Sequence, residues 1–141
     1  MEGSRQQRNV DLARRGMEAY NRGDIEAVLE LFSPEMELYS PPDFINAGVF
    51  HGREGWLKWS GQWNEAWGSF DIQVERVEPV GERFVLLNAH QVGRGRGSGV
   101  SVEQDVVYVY EITDEGCVYM AIHPDRERAL ADIRRREETS A

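Results

Sequence analysis

Apolar positions change their period along the chain, and the changes mark out its elements. Over residues 9–22, Val10, Ala13, Met17 and Tyr20 recur at helical spacing and predict a first helix with one apolar face. Gly23 suits its C-terminal cap, and Asp24 the N-cap of a short second helix over residues 25–32. Ile25, Val28, Leu29 and Phe32 share one side of that helix, and Pro34 closes it. Residues 36–40 alternate as a strand stopped by Pro41 and Pro42, and residues 43–52 read as a loop. A third helix is expected over residues 53–67. From Phe70 the period becomes 2, predicting strands over residues 70–80, 82–92, 100–113 and 117–123, with turns at 93–99 and 114–116. Pro124 and Asp125 open a last helix over residues 126–137, with Ala129, Leu130 and Ile133 inward.

The third helix carries all four tryptophans, Trp56, Trp59, Trp63 and Trp67. At about 100° per residue they fall within an arc of roughly 80°. Such a stripe must cover something large, either a packed sheet or a cavity. Helices gathered on one face of a curved antiparallel sheet make the expected fold class α+β.

Pairing the strands 82–92 and 100–113 about a turn centred near Gly97 puts the even-numbered residues of both on one face. That face would carry Phe84, Leu86, Asn88, His90 and Val92 beside Val102, Gln104, Val106, Tyr108 and Tyr110. The other face is also largely apolar, as in a sheet covered on both sides. Buried polar groups need partners. Asn88, His90, Gln104 and Tyr108 opposite a tryptophan wall therefore describe either a filled core with internal hydrogen bonds or a ligand cavity, mostly apolar with a few convergent polar groups.

The 141 residues fit one domain, expected over residues 9–137 between a frayed start at 1–8 and a tail at 138–141. The longest apolar runs are too short to span a membrane, and the polar start lacks the core of a signal peptide, so the expected location is cytoplasmic. A net charge of −9 argues against nucleic acid. The one cysteine, Cys117, stands in a strand pattern and reads as a buried structural thiol. No Cys, His or Asp set has metal-ligand spacing, residues 93–99 lack the third glycine and the helix of a dinucleotide fingerprint, and no serine triad is visible. No cofactor is expected.

Four stretches carry a resemblance to a known family: Tyr20-Asn-Arg-Gly-Asp24 between two helices with Leu31-Phe-Ser-Pro-Glu35 ahead of a strand, His51-Gly-Arg-Glu-Gly55 opening the aromatic helix, the turn 93–99, and Asp125-Arg-Glu-Arg-Ala-Leu130. In this order they resemble the NTF2-like superfamily and, within it, the SnoaL-like group, over residues 10–133. The resemblance implies a cone with a deep pocket between the concave sheet face and the helices, and homodimers through the outer sheet face. It also implies a small hydrophobic molecule as partner, with Tyr20, Tyr39, Trp59, Trp63, Asn88, Gln104, Tyr110, Met120 and Ile122 as binding candidates.

The ketosteroid isomerase of this superfamily needs a carboxylate base, a tyrosine and a protonated aspartate. The matching positions here are Ser40, Gly16 and Tyr108, so the base is missing. The epoxide hydrolase branch needs an acid on the final strand, where Val118, Met120 and Ile122 stand, so the acid is missing unless Asp125, past Pro124, reaches back. The polyketide cyclase branch needs an acid/base pair beside the cavity, and a group with its pKa near working pH suits it. The candidates are His90, with Tyr108 orienting a carbonyl or hydroxyl, and Asp43 in the loop that could cover the cavity; His123 is a weaker one, because its parity sets it off the face of Met120 and Ile122. The expected function is binding of a small, largely apolar organic molecule, with cofactor-free acid/base chemistry as an option; the alternatives are a non-catalytic ligand-binding domain and a structural homodimeric domain.

Overall fold

A computed structural model of the chain describes residues 2–44, 46–95 and 100–140, apart from the side chains of residues 2–3, 63–64, 66–70 and 140. The order is α1 (Glu2–Arg22), α2 (Ile25–Glu30), β1 (Phe32–Ser40), β2 (Gly48–His51), α3 (Gly52–Ala66), β3 (Trp67–Val80), β4 (Phe84–Gly95), β5 (Ser101–Thr113), β6 (Gly116–His123) and α4 (Arg126–Ser140). No helix among the described residues is long and apolar enough to cross a membrane.

Several boundaries differ from the sequence expectation. Helix α3 ends at Ala66, so Trp67 does not close the tryptophan helix but opens β3, opposite Gly95. Residues 2–8 are the first turns of α1. Gln7 donates to Asp11 one turn on at 2.9 Å, and Gln6 and Asn9 donate to the carbonyls of Gly81 and Glu82 in the β3–β4 turn. Phe32 leaves the second helix and opens β1, where it pairs with Cys117. The expected loop contains β2, which pairs antiparallel with residues 37–40. Of the turn expected at 93–99, residues 96–99 lie outside the described residues.

The six strands form one curved, unclosed sheet in the order β2-β1-β6-β5-β4-β3. Only β1 and β6 run parallel; the other neighbours are antiparallel. The architecture is thus α+β, as expected.

The β4–β5 register is the decisive correction. Leu87 stands opposite Tyr108, Ala89 opposite Val106 and Gln91 opposite Gln104. Odd residues of β4 therefore share a face with even residues of β5. The expected pairing was off by one, and a one-residue slip turns a whole strand over. Val85, Leu87, Ala89 and Gln91 join Tyr108 and Tyr110 on the inner face, against α1 and α3. Asn88 and His90 turn to the outer face, beside Val107 and Asp105. The β1–β6 pairing likewise sets Tyr39 on the outer side, where its ring lies 6.1 Å from that of His123.

Helix α4 gives a second correction. It does not join the other helices on the concave face but covers part of the outer one. Ala129 and Ile133 pack with Phe84, Leu86, Val109 and Ala121 there. Beneath it Asp132, 1% exposed, accepts from Tyr119 Oη at 2.7 Å, from Arg135 at 2.9 Å, and pairs with His123 Nε2 at 2.8 Å. Arg136 on the same helix donates to the buried Glu111 carboxylate at 2.8 Å. Chain-internal apolar area that a second subunit was expected to hide is thus partly hidden by this helix.

Burial by itself would raise the Asp132 carboxyl, but the His123 and Tyr119 hydrogen bonds and the charges of His123 and Arg135 outweigh it, and its pKa lies below the ordinary value. The carboxylate therefore stabilises the fold above the unfolded-state pKa of about 3.9, and that stabilisation is lost as pH falls through the lower native value. Asp132→Asn is expected to cost roughly 3 kcal/mol at pH 7. Urea unfolding at pH 7 and pH 3 checks this: the gap between wild type and variant should narrow at pH 3, and an unchanged gap would contradict the assignment.

Candidate functional site

The tryptophan helix is fixed to the sheet at its first turn. Gly52, with φ +72°, turns the chain from β2 into α3 in the left-handed region that glycine adopts freely. Arg53 then donates to the Phe32 carbonyl at 2.9 Å. Trp56, buried, meets Tyr20 of α1 edge-on, at 6.1 Å between ring centroids and 87° between planes, and lies 6.0 Å from Phe32. Trp59 is buried one turn on. Each buried indole contributes on the order of 4–6 kcal/mol of transfer free energy. The pair therefore holds α1 and α3 over the sheet.

Between them lies a cavity of about 50 Å³. The helices contribute Met17, Tyr20, Trp56 and Trp59, among others; the sheet contributes Ile72, Gln91, Tyr108, Tyr110, Cys117, Met120 and Ile122; the β1–β2 loop contributes Asn46. Asn46 is tied to α3 by a 3.1 Å hydrogen bond to the Trp59 carbonyl. The volume is well below the roughly 300–1,000 Å³ of a pocket for a drug-sized ligand. Met17 and Met120 are the lining side chains with the most freedom to yield to a guest.

The polar groups of this lining are neutral. Gln104, half-buried, donates to Gln91 Oε1 at 2.9 Å, and Gln91 donates to Tyr108 Oη at 2.6 Å. Burial raises the Tyr108 pKa and the nearby Tyr20 raises it further, against the pull of the Gln91 hydrogen bond. Burial, then the neighbouring Tyr108, holds Tyr110 well above its ordinary value. Burial also raises Tyr20, partly offset by a hydrogen bond with Ser60. The Cys117 thiol is pushed up to about 12, chiefly by burial, so it is no nucleophile at neutral pH. The Trp59 indole N–H and the Ser40 hydroxyl are buried with no hydrogen-bond partner among the described residues. None of the described residues that line the cavity is Asp, Glu, His, Lys or Arg.

The expected site residues divide accordingly. Tyr20, Trp59, Tyr108, Tyr110, Met120 and Ile122 come together around the cavity, and Gln104 stands behind Gln91. The Trp63 side chain lies outside the described residues. His90 and Asn88 face the opposite side of the sheet. There the His90 Nδ1 lies 2.8 Å from Asp105 and its Nε2 3.4 Å from Glu103. Hydrogen bonds to Asp105 and then Glu103 raise its pKa, and it stands beside these two carboxylates, away from the cavity. Tyr39 is on that outer face too. Asp43 is exposed and paired with Arg128 of α4 at 2.7 Å, and His123 is buried under α4. Sequence reasoning missed Gln91, Asn46 and the lining role of Cys117. A signal for Gln91 existed: it continues the apolar row Val85, Leu87, Ala89.

Residues 13–120 match the SnoaL-like domain family. A comparison with curated proteins finds no match. Among solved structures, Bal32a from a soil-derived mobile gene cassette superposes with TM-score 0.78 at 24% identity, covering 89% of this chain and 95% of its own. TerC, co-crystallised with polyporic acid, gives 0.74 at 16% identity, covering 88% and 95%. A protein proposed as a SnoaL-like polyketide cyclase from Jannaschia sp. CCS1 gives 0.73 at 18%, covering 89% and 90%. These structures share the fold, and the family match spans most of the chain: the protein belongs to the SnoaL-like family of NTF2-like folds.

Proposed function

We propose that this protein binds a small, largely apolar organic molecule in the cavity between α3 and the inner sheet face. The carrying observation is the character of that lining: apolar and aromatic side chains interrupted only by neutral polar groups. A carboxylate or imidazole for acid/base chemistry would have to come from the cavity wall. The candidates His90, Asp43 and His123 stand elsewhere. Binding rather than proton transfer is therefore the favoured form of the function. That TerC, of the same fold, was co-crystallised with polyporic acid supports an organic ligand. The setting proposed is the cytoplasm, in keeping with a single, buried, free cysteine.

A thermal-shift screen of small apolar compounds tests the reading. A true ligand at a hundred times its Kd should raise Tm by roughly 5–10 °C. Met120→Phe, which adds bulk to the lining, should abolish the shift, and His90→Ala should leave it unchanged. A library without a single hit, or hits indifferent to Met120→Phe, would remove the proposal.

The assembly part of the proposal is a homodimer through the outer sheet face, on the strip of Asn88, His90, Glu103 and Asp105 beside α4. Sedimentation velocity is expected to return a two-chain mass. A one-chain mass at every concentration up to 100 times that of the assay would end it.

A further inference from the structure

The hydrogen bonds behind the cavity run in one direction. Gln104 of β5 stands directly opposite Gln91 of β4, and its amide nitrogen donates to the Gln91 oxygen. The Gln91 nitrogen, with its own oxygen so occupied, donates inward to the Tyr108 hydroxyl oxygen. A tyrosine hydroxyl has one proton to give. At Tyr108 the oxygen is the acceptor for Gln91, and its proton meets no acceptor among the described residues. Gln91 is 3% exposed and Tyr108 2%, so bulk water does not answer it. Trp59 supplies an independent second observation. Its indole nitrogen can only donate. It is buried in the same cavity wall and is without an acceptor among the described residues.

We infer that the cavity selects, among small apolar molecules, those presenting a carbonyl oxygen, with Tyr108 and Trp59 as donors to it and Gln91 and Gln104 as the positioning residues that aim the Tyr108 proton. The inference rests on the binding function proposed above and adds the chemical class of the ligand. A carbonyl oxygen has two lone pairs and no proton of its own, so it can accept from two donors at once. A hydrocarbon of the same shape fills the space and leaves both donors unmet. An alcohol can accept, but it brings a further proton that must itself be placed. Reversal of both amides would make Tyr108 the donor to Gln91 and leave its oxygen facing the ligand. That arrangement prefers an alcohol, so ligand preference reads the direction of the relay.

Three probes of matched shape decide the matter: cyclopentanone, cyclopentanol and methylenecyclopentane. Their affinities are read from ¹H–¹⁵N spectra of the full chain, using the tryptophan indole N–H signals, with that of Trp59 assigned by Trp59→Phe. Cyclopentanone is expected to bind about tenfold more tightly than methylenecyclopentane, the worth of one net hydrogen bond to an otherwise unmet donor. It should move the Trp59 indole proton strongly downfield, which the hydrocarbon should not do. Tyr108→Phe should shrink the ketone-to-hydrocarbon ratio by most of that factor. Gln104→Leu should also shrink the ratio, whereas a purely structural role for Gln104 would weaken ketone and hydrocarbon alike. Equal affinity of the wild-type chain for ketone and hydrocarbon overturns the inference while leaving the cavity a binding site. Tighter binding of the alcohol overturns it by reversing the relay. Failure of all three probes to bind removes the binding reading and the inference together. The wild-type comparison stands even if a variant fails to fold.

Discussion

The pairing of Gln91 with Gln104 governs what this molecule can do. In a sheet with a two-residue side-chain period, one pairing assigns every residue of a strand to a face. With Gln91 opposite Gln104, β4 sends Val85, Leu87 and Ala89 toward the helices and leaves His90 outside with Asp105. A shift of one residue would put an imidazole in the cavity and Gln91 out of it. The chemistry of the cavity is therefore a consequence of backbone hydrogen bonding between two strands.

The two faces of the sheet keep their polar groups differently. On the inner face, a charge would lie in an apolar enclosure shielded from bulk water, where ionisation is costly. The groups there are amides, hydroxyls, two indoles and a thiol, and burial holds the tyrosines and Cys117 in their neutral forms. On the outer face, carboxylates are either exposed, as Asp105 is beside His90, or saturated with partners, as Asp132 is beneath α4. Helix α4, rich in arginine and glutamate, docks through this paired chemistry and a short apolar row, Ala129 and Ile133. Aromatic packing does the corresponding work for α3, through Trp56, Tyr20 and Phe32.

Much of this was legible in the residues. The 3.6 period of Ala13, Met17 and Tyr20 found the inner face of α1, and the tryptophan spacing found that of α3 through Trp56 and Trp59. The even parity of β5 placed Gln104, Tyr108 and Tyr110 correctly. The parity of β4 could not be read the same way, because both of its faces are apolar: Phe84 and Leu86 are as buried as Val85 and Leu87. Alternation then cannot choose, and the choice passed to an assumed turn centre in residues 93–99. The side on which α4 packs was equally illegible, since an amphipathic helix shows which of its faces is buried but not against what. Asn46 was invisible because its place comes from a loop contact to the Trp59 carbonyl, which leaves no period in the sequence.

A crystal structure under xenon pressure tests the account most directly, since xenon occupies dry apolar cavities without requiring any particular ligand. The account predicts a xenon site bordered by Trp59, Tyr108 and Met120, with Gln91 on that same face of the sheet. A filled interior without xenon there, or a sheet with His90 in place of Gln91 on the cavity side, would contradict it.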